Sequence, residues 1–149
     1  MIRIKAVDAQ NILDVCELTT KQDRMKQTTE RHPCCNAISI AQASCNKEMH
    51  PNAIYNNNRL IGFFLYKRAE KQARTATICR FMIDDRFRQK GLEQQALAHI
   101  LRGLKIQGVR KVVLIADNTD EAAKKLYLCF GFHFSGKRDK AGSYYELEL

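Results

Sequence analysis

A chain of 149 residues is the length of one domain, and folding should bury roughly 68–70% of its unfolded surface, enough for a core without disulfides or metal. Hydrophobic residues at 45% and charged residues at 28% are the proportions of a soluble globular chain. No apolar run approaches the ~18 residues of a membrane helix, and the opening MIRIKAVDAQ lacks a signal-peptide pattern, so a cytoplasmic protein without a membrane partner is expected.

In chain order, residues 2–7 alternate as a strand, and Asp8 is placed to cap a short helix carrying Ile12, Leu13, Val15, Cys16 and Leu18. Residues 20–35 are polar and patternless. Residues 36–45 read as a second helix capped by Asn36. Residues 53–55 and 60–66 form a hairpin across the polar turn 56–59, and 75–83 is a third β-rich run that ends at Asp84 and Asp85. Helical spacing of Leu92, Ala96, Leu97, Ile100, Leu101 and Leu104 predicts a helix that stops near Gly108. A buried strand follows at 111–116, then a helix at 121–130 with Asp120 as cap and Gly131 at its end. Strands at 132–136 and 143–149 close the chain.

The order β-α-α-β-β-β-α-β-α-β-β gives an antiparallel meander passing into a β-α-β crossover. The class is α+β: a single domain, residues 1–149, with a mixed central sheet and helices on both faces. Ligands of such sheets gather at the carboxyl ends of the crossover strands, here at Ile83 and Ala116.

Six cysteines (16, 34, 35, 45, 79, 129) could suggest a disulfide scaffold, but the chain is long and without an export signal, and Cys16, Cys79 and Cys129 sit in apolar segments where free cysteine acts as a small hydrophobe. The cluster His32, Cys34, Cys35, Cys45 and His50 lacks a C-x₂₋₄-C pair, so no metal site is assigned. The formal charge of +9 is concentrated between Arg59 and Lys90, where nine Lys and Arg face three acids, a surplus of six. Such a surplus steers anions of any kind: nucleic acid, an acidic membrane face or a phosphorylated cofactor. No nucleic-acid motif or aromatic ladder accompanies it, which disfavours nucleic acid.

Within that stretch, the basic turn 86–90 and Gly91 feed a helix start. Free N–H groups and the helix dipole favour an anion there, while Glu93 sets a negative charge in the first turn. Glutamate there complements the dipole; against a phosphate at about 6 Å it would cost on the order of 3 kcal/mol at an effective dielectric near 20.

The segments "NAISIAQA" (36–43), "AIYNNNRLIGFFLY" (53–66), "CRFMIDDRFRQKGLEQQAL" (79–97) and "EAAKKLYLCFGF" (121–132), in that order, resemble the GCN5-related N-acetyltransferases, the GNAT family, nearest its spermine/spermidine branch. The resemblance implies acetyl-CoA as co-substrate, a small-molecule amine, a polyamine included, as acceptor, and a sheet that splays between strands 75–83 and 111–116; a homodimer is compatible with it. It puts Arg88, Gln89, Lys90, Gly91, Glu93 and Gln94 at the pyrophosphate loop, whose family pattern is Q/R-x-x-G-x-G/A. The backbone of Met82 and Ile83 falls beside the pantetheine arm, Asp120 at the start of the "N-x-x-A-x-x-L-Y" segment, and Tyr127 at the acid that protonates the departing thiolate. Gln89, Glu93 and Asp120 depart from the pattern, which leaves a catalytically impaired binding module as the alternative. The side chains themselves identify no general base.

Overall fold

The computed structural model describes residues 1–20 and 35–149, and the side chains of Gln89 and Lys90 lie outside that description, as do His32, Cys34 and most of the 20–35 segment. Seven strands form one sheet: β1 Ile2–Ala6, β2 Met49–Asn56, β3 Arg59–Lys67, β4 Thr75–Ile83, β5 Lys111–Ala116, β6 His133–Asp139 and β7 Gly142–Glu148. Their order across the sheet is β1-β2-β3-β4-β5-β7-β6, and β4–β5 is the parallel pair. The helices are α1 Ile12–Glu17, α2 Asn36–Ser44, α3 Leu92–Ile106 and α4 Glu121–Cys129, with a short 3-10 turn at Asp85–Lys90. This is the mixed α+β sheet that the order of elements predicts.

Asn57 and Asn58, at φ 50° and 68°, turn β2 into β3 in two residues. Asparagine tolerates the left-handed region that such a hairpin turn demands at both positions. Beyond it, Pro51 pairs with Leu65 and Met49 with Lys67, so β2 is longer than its apolar kernel suggests.

The sheet separates two cores. On one face α1 and α2 cover Ala53, Phe63, Leu65 and Met82 through Val15, Leu18, Ile40 and Ala43. On the other, α3 buries Leu92, Ala96, Leu97, Ile100, Leu101 and Leu104 against Ile54, Ile78 and Leu114, joined by Leu126 and Tyr127 of α4. The predicted stripe of α3 is the buried stripe.

Two bulges change which face a side chain meets. Ile54 pairs with Gly62 and Tyr55 with Leu60, leaving Ile61 as an extra residue on β3; Leu65 pairs with Arg80 and Tyr66 with Ile78, leaving Cys79 as an extra residue on β4. Ile78 therefore packs with α3, while Cys79 and Met82 pack with α1 and α2. A bulge re-aims the strand beyond it, and here that strand is the end of β4.

Two caps differ from expectation. Cys35 is the N-cap of α2; Asn36 is its first residue, fully buried, donating Nδ2–H to Val15 O at 2.8 Å and accepting from Arg80 Nε at 2.9 Å. Asp8 caps the turn before α1, accepting from Gln10 N and Asn11 N, while Asn11 is the helix N-cap. Asp120 does cap α4, through Ala123 N at 3.0 Å.

Gly62 presses on the end of β4: a Cβ there would overlap Met82 O and the Ile83 side chain. Backbone cannot swing aside as a flexible side chain would. Gly62→Ala is expected to lower stability by about 1–3 kcal/mol, the range for overpacking, measured by chemical denaturation. An unchanged midpoint would show that β3 and β4 part freely there.

Candidate functional site

β4 and β5 pair only from Thr75–Lys111 to Ile78–Leu114. Past that point β5 continues on β7, with Ile115 opposite Tyr144 and Ala116 opposite Ser143, and β4 continues on β3 to Ile83. The strands diverge around a cleft of about 340 Å³. Met82 and Ile83 line it from β4, Arg88 and Glu93 from the helix-start side, and Asp120 and Tyr127 from α4.

Asp84 fixes the rim. Its N–H donates to Ile61 O at 2.8 Å, and its buried carboxylate accepts from Thr19 N at 3.0 Å and from Arg86 N and Nε at 3.0 and 2.8 Å. Asp85 N donates to Thr19 O at 3.2 Å. The end of β4 is thereby tied to β3 and to the chain leaving α1. Burial opposes the Asp84 charge, but the hydrogen bonds from Arg86 and Thr19 outweigh it and hold the carboxyl below its ordinary value.

Gly91, at φ 68°, links the 3-10 turn to α3, and that left-handed geometry favours glycine. Helix α3 starts with no side-chain cap. Among the described residues no side chain meets its first N–H groups, and the dipole there favours an anion. Glu93 does not turn to solvent. Its Oε1 accepts from Arg88 Nε at 2.6 Å, and Arg88 Nη1 also lies 3.9 Å from Asp85 Oδ1. Burial works against the Arg88 charge, yet the Glu93 hydrogen bond and the carboxylates of Glu93, Asp120 and Asp85 raise its pKa overall. The guanidinium beside this helix start thus already has an acid on it.

Tyr127 is 5% exposed, lies against Phe132 with ring centroids 6.0 Å apart, and faces the cleft. Burial first, then the charges of Asp120 and Glu93, push its phenol well above the ordinary tyrosine value, with Arg88 opposing. Such a phenol keeps its proton at neutral pH. It can donate that proton and makes a poor resting base.

Six of the ten predicted site residues thus meet at one cleft: Met82, Ile83, Arg88, Glu93, Asp120 and Tyr127. Gly91 forms the joint behind it, and Gln94 is exposed on α3 outside the lining. The side chains of Gln89 and Lys90 lie outside the description.

Sequence reasoning missed Thr20, Cys79, Arg80 and Asp117, which also line the cleft. Arg80, held by buried Asn36, enters from the α1–α2 face. One arginine inside an otherwise apolar strand was the available signal; the bulge at Cys79 that aims it has none. Among the described residues no group of three or more His, Cys, Asp or Glu is placed to hold a metal ion, and no helix is long and apolar enough to cross a membrane.

The model of the acetyltransferase (GNAT) family matches residues 13–132. The spermine/spermidine N(1)-acetyltransferase of Bacillus subtilis (strain 168) is 27% identical over 151 aligned positions, covering 95% of this chain and 93% of that protein. The GNAT domain of S. lividans PAT superposes with a TM-score of 0.76 at 14% identity, over 99% of this chain and 90% of that one. The PaiA N-acetyltransferase of Thermoplasma acidophilum, solved in complex with coenzyme A, gives 0.67 at 15% identity, over 100% and 99%. At those identities the two structures speak for the fold.

The Asp84 carboxyl makes an acid-side prediction. Its folded pKa lies below the ordinary 3.8, so its stabilisation is complete above that value and is lost as pH falls through the lower folded value. Unfolding followed from about pH 6 to pH 2 should show Asp84→Asn less stable than the parent at the upper end, with the gap narrowing toward the lower. A gap constant with pH would mean the carboxylate's charge contributes nothing.

Proposed function

The chain belongs to the GNAT acetyltransferase family, and from that premise we propose that it transfers the acetyl group of acetyl-CoA directly to the amine of a small acceptor. The observation that carries this reading is the parting of β4 from β5 after Ile78, beside an uncapped helix start and with the Tyr127 phenol facing the gap.

Past Ile78 the β4 edge toward β5 has lost its strand partner, so the backbone of Met82 and Ile83 can receive an extended amide chain as a strand would. The pyrophosphate falls to the N–H groups of residues 89–93, with Arg88 beside them. The amine nitrogen forms its bond to the acetyl carbon as the carbon–sulfur bond breaks. The electron pair leaves on sulfur, and the Tyr127 phenol supplies that sulfur with a proton. The amine sheds its own proton to solvent.

Glu93 is the point of conflict. Its pairing with Arg88 at 2.6 Å means that phosphate must compete for the guanidinium with a carboxylate already in place. The same pair favours the second reading, a family member that binds without turning over.

For the acceptor, we favour a polyamine. The cleft carries the carboxylates of Glu93, Asp117 and Asp120 against the guanidiniums of Arg80 and Arg88, the reverse of the chain's +9 balance. An acidic lining attracts a polycation, and the B. subtilis relative is named for spermine and spermidine.

Calorimetric titration with acetyl-CoA tests the reading: micromolar binding with acetyl transfer supports the enzyme, and no binding at millimolar leaves the inactive module. Tyr127→Phe should keep acetyl-CoA affinity and lower turnover about a hundredfold or more, the scale of lost general-acid catalysis. Parallel loss of binding, rate and stability would reduce Tyr127 to packing.

Glu93→Ala frees Arg88 while keeping helix propensity, and should tighten acetyl-CoA binding by roughly tenfold to a hundredfold. The gain should shrink at high salt; equal affinity in the two proteins would make the pair harmless. At equal concentration, spermidine should be acetylated faster than monoamines, and a flat profile across such a panel would remove the polyamine.

A further inference from the structure

At the other end of β4, where β3 turns into it, lies a second cavity of about 540 Å³. Lys47, His50, Tyr66, Arg68, Glu70 and Lys71 line it. Arg68 is 7% exposed. Its Nε donates to Ala73 O at 2.8 Å and its Nη2 to Gln107 O at 3.1 Å. Among the described residues no carboxylate pairs with it.

A guanidinium this deeply buried loses its hydration, and neutral carbonyls return only part of that loss. Gln107 caps the carboxyl end of α3, whose dipole supplies about half a unit of negative charge. Among the described residues nothing compensates the remainder. Around it stand Lys47 and Lys71 against Glu70 alone, since the neighbouring Glu48 is taken by Lys67 at 3.6 Å. One wall is aromatic: His50 and Tyr66 stack with centroids 4.9 Å apart and an interplanar angle of 28°. The volume lies within the roughly 300–1,000 Å³ of small-molecule sites.

We infer that this cavity is a second ligand site, separate from the β4–β5 cleft, for a small phosphorylated molecule with a flat ring, the size of a nucleoside monophosphate. Its anionic group compensates Arg68 with help from Lys47 and Lys71, and its ring lies on the His50–Tyr66 wall. This gives a use to part of the basic surplus that acetyl transfer does not need.

The test is calorimetric titration of the full chain with AMP, with adenosine and orthophosphate as the ring-only and anion-only arms. AMP should bind, and each arm alone should bind at least about tenfold more weakly. The Lys47→Ala/Lys71→Ala double variant, altered only at lysines that make no ion pair among the described residues, should lose about tenfold or more in AMP affinity, while Arg88→Ala at the cleft should lose none. Arg68→Met should abolish binding; if that variant fails to fold, the lysine pair decides. No AMP binding at millimolar overturns the proposal. So does AMP binding that Arg88→Ala removes and the lysine variant keeps, which would put the nucleotide in the cleft. Adenosine or orthophosphate binding as tightly as AMP overturns it as well, because the site would then not require ring and anion together.

Discussion

The structure depends on one constraint: β4 and β5 can pair over only four residues each before they must part. Each strand has a stronger claim on its far end. β5 pairs with β7 along its whole length, Lys111–Glu148 to Ala116–Ser143. β4 is held to β3 through Gly62–Ile83, with Asp84 N on Ile61 O and the Asp84 carboxylate on Thr19 N. The bulge at Cys79 comes immediately after the last β4–β5 pair and turns β4 as it leaves. A sheet interior with an unpaired edge would normally be a liability. Here side chains from both faces line the gap, so the edge is reached through a cleft.

The parting also brings together groups that would otherwise be separated by the sheet. Tyr127 and Glu93 belong to the α3–α4 face, while Arg80 and Cys79 belong to the α1–α2 face, yet all four line one cleft. Residues from both faces of the sheet thus meet at one opening. Its electrostatics are divided in the same way. Arg88 is engaged by Glu93 on one side and Arg80 by Asn36 on the other. Neither guanidinium is an unmodified positive charge.

Much of this was legible because it follows from period and punctuation. The stripe of α3 declares itself at 3.6-residue spacing, and β4 and β5 are apolar runs ended by Asp84 and Asp117, so their bounds were readable. The bulges were not. A strand buried on both faces is apolar at every position, and an extra residue leaves no trace in alternation. Asn36 was misread for a related reason: asparagine before a helix satisfies the capping rule, but its burial between Val15 and Arg80 is set by residues 21 and 44 positions away. The Arg88–Glu93 pair combined both problems. Each residue was identified, and only the folded joint at Gly91 decides whether the carboxylate meets the guanidinium or water.

The basic surplus between Arg59 and Lys90 shows why net charge is a poor guide to a partner. Arg59 and Arg86 both lie over the Phe87 ring, 5.4 and 5.2 Å from its centroid, where cations gain from the aromatic quadrupole. Lys67 is balanced by Glu48, and Arg88 by Glu93. Arg68 is buried on carbonyls at the far end of the sheet. A formal count treats these cations as equivalent, although some are already neutralised and one has no carboxylate partner among the described residues. An incoming anion responds to the uncompensated charge at close range, because exposed charges beyond about 8–10 Å are screened at ordinary salt. Local pairing therefore decides which parts of a +9 chain are available to bind, and the same surplus can leave the β4–β5 cleft acidic while a cation elsewhere has no carboxylate partner among the described residues.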